Sequence, residues 1–142
     1  MAEEIFTDAW AREWAQKIND NESYRKAATK WEGALALVMT PDPDMGITEE
    51  RTVVADLWHG DCRGGKAASG GELDDIPFLI SATPSVWKLV LAGKTDPIVG
   101  LMGGKLKLAR GSLFSLIPYA KAAKELVVSA GRVATSFPAG WK

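Results

Sequence analysis

The chain has 142 residues, 46% apolar and 25% charged, with 17 Lys and Arg against 18 Asp and Glu and one cysteine. A length of this order fits one domain that buries roughly 68–70% of its unfolded surface, enough to enclose a core or a cavity without disulfides or metals. Cys62 has no disulfide partner, the acidic start MAEEIFTDAW lacks the apolar stretch of a secretion signal, and no apolar run is long enough to span a bilayer, which predicts a soluble cytoplasmic protein.

Phe6, Trp10, Trp14 and Ile18 recur every four residues behind Thr7 and Asp8, the pattern of a capped amphipathic helix with one apolar stripe. A second short helix is expected over 21–29. Residues 31–40 read as a strand with Trp31, Gly33, Leu35, Leu37 and Met39 on one face. Its other face, Ala34, Ala36 and Val38, is also apolar, so the strand is predicted to be central and covered on both sides. A polar turn with two prolines over 41–50 leads into an antiparallel return strand over 52–58. A brief edge strand at 66–69 and an acidic loop at 70–75 follow.

The segment from Phe78 to Gly111 has the clearest punctuation. Residues 78–82 form a short apolar strand. Thr83 as N-cap, Pro84 at the first helical position and Gly93 past the end bracket a helix over 84–92. Asp96 and Pro97 repeat the start signal, and Gly103–Gly104 end a shorter helix carrying Ile98, Leu101 and Met102. Alternation of Lys and Leu over 105–108 predicts a half-buried strand. Leu113, Leu116, Ile117, Ala120, Leu126 and Val127 then fall near helical spacing, and Pro118 must kink or divide that helix. From 131 onward the chain reads as a tail anchored by Phe137 and Trp141. Helices with so little polar surface require an apolar partner, either a plain core or the lining of a lipid cavity.

Two motifs suggest chemistry and do not sustain it. Asp56, His59, Asp61 and Cys62 are all competent ligands or nucleophiles, but with one His and one Cys in the chain a zinc set would need carboxylates to complete it, and Gly60–Asp61 suits a turn. Gly60 to Ala67 fits the phosphate-loop spacing up to Lys66, yet Ala67 stands where a Ser or Thr would hold magnesium, and no apolar helix follows. Asn21-Glu22-Ser23 is a glycosylation triplet without a secretory signal to use it.

The run TPSVWKLVLAGKTDPIVGLMGGKLKLARGSL resembles the second half of the sterol carrier protein type 2 domain. In that family a helix ending in Gly, an Asp-Pro helix, a Met-Gly-Lys turn and a basic-apolar strand ending in Gly follow in this order. The upstream strands extend the resemblance over about 17–130, within a single domain of 1–142 whose last segment, 131–142, is a tail. The resemblance implies an α+β fold: a roughly five-stranded mixed, mostly antiparallel sheet covered by helices, with an apolar tunnel between the two layers. It implies a non-enzymatic lipid-binding or lipid-transfer protein with no catalytic residue, metal or cofactor, holding a fatty acyl chain, acyl-CoA, sterol or isoprenoid. The lining is then expected from Leu35, Leu37, Phe78, Ile80, Trp87, Val90 and Leu91, continued by Leu101, Met102, Leu106, Leu113, Leu116 and Ile117. Head-group or membrane contacts fall to Lys105, Lys107, Ser112, Ser115 and Tyr119, and the Pro118-divided helix is expected near the mouth, where it gates access or simply caps the core.

Charge is distributed unevenly: residues 1–82 hold 8 basic and 16 acidic side chains and residues 83–142 hold 9 and 2, leaving −8 and +7. This either aids packing and solubility or lets Lys88, Lys94, Lys105, Lys107 and Arg110 attract an anionic head group or lipid surface. The expected partners are therefore a lipid or acyl ligand and a transient anionic membrane contact, with no nucleic acid, in a monomer or homodimer. The alternative is an interaction or dimerisation module of the same fold with a filled tunnel, accessory to a separate lipid-metabolising enzyme.

Overall fold

The computed structural model describes residues 2–138; Trp141, expected to anchor the tail, lies outside them. The elements in chain order are β1 (Glu3–Glu4), α1 (Asp8–Asn19), α2 (Glu22–Ala27), β2 (Leu35–Met39), β3 (Arg51–Trp58), β4 (Asp61–Ala67), β5 (Phe78–Ala82), α3 (Pro84–Leu91), α4 (Pro97–Met102), β6 (Lys107–Arg110), α5 (Leu113–Leu116), α6 (Ala120–Gly131) and β7 (Thr135–Ser136). Five strands form one sheet in the order β4-β3-β2-β5-β6, with β2 and β5 parallel and every other pair antiparallel. This is the mixed, mostly antiparallel α+β sheet that the resemblance implies.

Strand β2 is buried along its whole length, as a central strand flanked on both faces must be. Leu35, Leu37 and Met39 join the main core under the helices, while Ala36 meets Val54 and Ala68 in a small second cluster covered by Leu73 and Ile76. That cover is tied down by Arg110, whose Nη1 donates to the carbonyls of Leu73 (2.5 Å), Ile76 (2.8 Å) and Asp74 (3.3 Å). The strand starts four residues later than the sequence pattern suggests, because Gly33 takes φ +128° and breaks the extended run.

The β3–β4 hairpin turns on His59 (φ +50°) and Gly60 (φ +88°), the two positive-φ positions of a two-residue loop. β4 is correspondingly a seven-residue edge strand rather than the short piece expected at 66–69. Its edge is covered by α1, which is fastened at both ends: Asp8 Oδ1 accepts from Ala67 N (3.1 Å), and the Asn19 side chain exchanges two 2.8 Å hydrogen bonds with the Cys62 backbone. The other edge strand, β6, begins two residues after the predicted 105–108, since Leu106 turns into the core at 2% exposure and its N–H is held by the Gly100 carbonyl.

The capping signals read from the sequence operate as hydrogen bonds. Thr7 accepts from Trp10 N, Asn21 from Tyr24 N, Thr83 from Val86 N, and Asp96 from both Ile98 N and Val99 N. Pro118 divides the last helical run into α5, a short 3-10 turn over Ile117–Tyr119, and α6. The segment after Gly131, read as a tail, contains β7, which pairs in parallel with β1, and Ile5, Phe6, Trp10 and Trp14 belong to the main core.

The α1–β4 contact yields a paired prediction. A Cβ on Gly65 would stand 2.1 Å from the Ala11 carbonyl oxygen, whereas one on Gly64 meets nothing within 4 Å. Gly65→Ala is expected to lower unfolding free energy by about 1–3 kcal/mol through overpacking. Gly64→Ala is expected to change it by less than about 0.5 kcal/mol, as surface substitutions do. Urea titration of both variants, followed by Trp fluorescence, checks the difference.

Candidate functional site

Between the helices and the inner face of the sheet lies an apolar cavity, and each main-sheet strand except the two edges contributes to it. β2 supplies Leu35 and Leu37, β3 supplies Leu57 and β5 supplies Ile80. These alternate positions share a face because strand side chains repeat every two residues. The helices contribute stripes at spacings of three and four: Trp87, Val90 and Leu91 from α3; Ile98 and Leu101 from α4; Ala122, Ala123, Leu126, Val127 and Ala130 from α6. Trp14, Tyr24, Trp31, Pro97, Leu106, Leu116 and Tyr119 complete the wall. No residue of the lining carries a charge.

Three tryptophans shape this wall, and each indole N–H is satisfied by a backbone carbonyl. Trp14 donates to Leu126 (3.0 Å), Trp87 to Val38 (2.9 Å) and Trp31 to Gly33 (2.8 Å). The rings therefore present apolar surface with no unpaired donor. Tyr119 packs edge-on against Trp31 at 4.9 Å, and Phe78 tilts against the same indole at 5.0 Å. Gly111 makes room for Phe78, since a Cβ there would come within 2.4 Å of its ring and the glycine holds φ +109°. The space left between these side chains is about 50 Å³. That exceeds the need of a single water and falls short of the ~150 Å³ that admits a benzene-sized guest.

Of the lining residues expected from sequence, Leu35, Leu37, Ile80, Trp87, Val90, Leu91, Leu101, Leu106 and Leu116 meet around this cavity. Four do not. Phe78 sits behind Trp31, Met102 and Ile117 are exposed, and Leu113 is half-buried outside the lining. Met102 turns outward because Pro97, Ile98 and Leu101 already occupy the inner side of the six-residue α4. Tyr119, grouped with the head-group contacts, stands in the wall itself, whereas Lys105, Lys107, Ser112 and Ser115 are exposed and outside it. Arg110 binds the 73–76 carbonyls instead of facing outward as part of a basic cluster. The sequence pattern missed Trp14, Tyr24, Trp31 and Leu57, together with the α6 stripe. The four-residue repeat that contains Trp14 and the small-residue spacing of α6 were the available signals.

The suspected reactive cluster disperses into separate local pairs. Asp56 binds Arg63 (2.9 Å), His59 binds Glu32 (2.6 Å) and Asp61 binds Arg25 (2.8 Å). Cys62 Sγ donates to the Gly64 carbonyl at 3.3 Å. Among the described residues no group of three His, Cys, Asp or Glu side chains is placed to hold a metal ion. The phosphate-loop spacing falls on the hairpin turn and β4, whose backbone is engaged in the sheet ladder. Burial, reinforced by the Asp56 charge, pushes the Cys62 thiol from 9.0 up to about 11. Burial likewise raises Tyr24, with Cys62 and Asp61 adding to the effect.

The helix-covered sheet thus surrounds an apolar cavity whose lining carries no charge. The chain belongs to the SCP-2 sterol transfer family, which matches residues 12–111. It is 48% identical to a sterol carrier protein 2 of known crystal structure, covering 92% of this chain and 100% of that one with a TM-score of 0.85. It is 46% identical to a conserved hypothetical protein of Thermus thermophilus, covering 96% and 94% of the two chains at a TM-score of 0.84. Apo sterol carrier protein 2 of Yarrowia lipolytica shares the fold at 14% identity and TM-score 0.56, over 87% of this chain and 88% of that one. No curated protein matches significantly. The family is one of lipid-binding and lipid-transfer domains, and no described helix is long and apolar enough to cross a membrane.

The buried thiol gives a pH prediction. The folded pKa lies above the unfolded one, so this group's contribution to stability is complete below pH 9 and is lost as pH rises toward 11. The loss approaches on the order of 2–3 kcal/mol. Cys62→Ala is expected to flatten the stability profile between pH 9 and 10, measured by urea unfolding at successive pH values. In the native wild type, iodoacetamide at pH 8 is expected to leave Cys62 unmodified and to label it once urea is added.

Proposed function

We propose that the protein is a non-enzymatic lipid carrier that holds a long apolar ligand in the cavity and exchanges it at an anionic lipid surface. The uncharged wall, drawn from every α-helix and from three strands, is the observation that carries this reading. Burial of the tail supplies affinity at about 0.8 kcal/mol per methylene, which favours long chains and discriminates weakly among fatty acyl, acyl-CoA, sterol and isoprenoid ligands.

About 50 Å³ cannot hold such a tail, so part of the wall moves when it binds. The segment 113–119 is the element suited to move. It consists of a four-residue helix without a side-chain cap and a 3-10 turn, and it carries exposed Phe114 (85%) beside Leu116 and Tyr119 of the wall. Val99 (65%) and Met102 (68%) are likewise exposed on α4, whose other side lines the cavity. Apolar side chains on the outside of the elements that wall the cavity, with exposed Lys105, Lys107, Lys121 and Lys124 in the same basic half of the chain, support contact with an anionic bilayer.

The small volume also favours a second reading, in which the cavity stays closed and the domain serves as an interaction or dimerisation module for a separate lipid-metabolising enzyme. Native mass spectrometry of freshly purified protein, followed by lipid extraction, separates the two. A bound lipid of defined mass is expected. An unliganded dimer that binds no fluorescent fatty acid would favour the second reading. Ala123→Phe, which fills the wall, is expected to reduce fatty-acid affinity at least about tenfold, the effect of losing about two buried methylenes. Phe114→Ser with Met102→Ser is expected to leave that affinity intact and weaken sedimentation with phosphatidylglycerol vesicles. Equal sedimentation would remove the membrane contact from this face.

A further inference from the structure

One residue of the cavity wall carries a buried side-chain polar atom for which the described residues offer no partner. Tyr24 is 1% exposed and belongs to the lining, and its hydroxyl is buried without a hydrogen bond to any described residue. The three indole N–H groups of the same wall all donate to carbonyls. An orphaned hydroxyl is destabilising, and phenylalanine would fill the same space without it. The oxygen is therefore the part of this residue that packing does not explain.

The backbone that carries this ring is tied to α6. Tyr24 N donates to Asn21 Oδ1 (3.0 Å), and Asn21, 3% exposed, donates in turn to Ser129 Oγ (3.0 Å) on α6. Tyr24 lies toward the β4 edge of the sheet, since its chain neighbour Arg25 pairs with Asp61 (2.8 Å), the first residue of that strand. The basic residues 105 and 107 adjoin β6, the opposite edge strand. A ligand whose charged head stays near those lysines would carry its other end toward Tyr24.

We infer that the Tyr24 hydroxyl is a specificity-determining contact for the inner end of the ligand, which is an apolar molecule bearing one neutral hydroxyl or carbonyl oxygen at that end. The inference rests on the lipid-carrier reading above and names the ligand class for the same cavity. A tyrosine hydroxyl can donate to either oxygen type and accept from a hydroxyl. An ionised carboxylate is excluded from this end, because the lining offers no cation to offset its desolvation.

The test compares hexadecanoate with 16-hydroxyhexadecanoate, by calorimetry, on wild type and Tyr24→Phe. Tyr24→Phe is expected to bind hexadecanoate within about twofold of wild type and to lose about tenfold in affinity for the hydroxy acid relative to it, the cost of leaving a buried hydroxyl unpaired. An unchanged ratio of the two affinities, with both acids still bound, would overturn the inference and leave the carrier reading standing. Failure of both acids to bind wild type would overturn the carrier reading, and this inference with it; failure of the hydroxy acid alone would overturn only this inference. Without ligand, Tyr24→Phe is expected to melt at or above the wild-type temperature. A clearly lower melting temperature would mean that the hydroxyl already serves the fold, and would sink the proposal independently.

Discussion

The hydrogen bond from the Trp87 indole to the Val38 carbonyl fixes the distance between the helical layer and the sheet, and the cavity depends on it. Val38 lies in the central strand, so the bond seats α3 over the middle of the sheet through a side chain too large to let the layers collapse together. The same ring meets Phe6 at 5.3 Å, Phe6 meets Trp10 at 5.1 Å and Trp10 meets Trp14 at 5.6 Å. Trp14 then bonds to Leu126 on α6. An unbroken aromatic path thus runs from α3 through the N-terminal segment to α6 and braces one side of the cavity. Phe6 holds φ +55° to take its place in that path, a conformation that a bulky residue keeps only where its surroundings demand it.

The remaining side is built differently. α4 and α5 have six and four residues, against twelve for α1 and α6, and their outer surfaces are apolar. Short helices gain little from backbone cooperativity and rely on the face they bury. Ile98, Leu101 and Leu116, with Pro97 and Tyr119, are the residues by which this side meets the cavity. Rigidity on the aromatic side and economy of contacts on the other are compatible with a wall that opens in one place.

What could be read in the sequence follows from how local each signal is. Thr83-Pro84, Asp96-Pro97 and Gly93 are punctuation whose effect is complete within a few residues, and the helices they bracket appear within one residue of the predicted ends. The β6 register and the true start of β2 depend on where Leu106 and Gly33 go in three dimensions, so alternation alone misplaced them. The cavity wall shows the same division. Residues on α3 and the central strands were legible because their periodicity marks one buried face. Trp14, Tyr24 and Trp31 were not, since an apolar stripe facing a cavity has the same pattern as one facing solid core. Met102 erred in the opposite direction: an apolar residue on a short helix gives no sign of which side it faces.

Discrimination among ligands cannot come from most of this wall. Dispersion and desolvation scale with the amount of tail buried and respond little to its identity, so an uncharged lining ranks ligands chiefly by length. A site built to hydrogen-bond an oxygen discriminates more sharply, because a ligand without that oxygen leaves the site's own group unpaired. In this cavity the indoles are already engaged with backbone carbonyls, which removes three potential readers of ligand chemistry. On the lipid-carrier reading proposed above, the groups left to select a ligand are the hydroxyls of the lining residues Tyr24 and Tyr119 and charges outside the wall. A fold that spends its tryptophans on fixing the shape of the cavity leaves very few atoms to decide what occupies it.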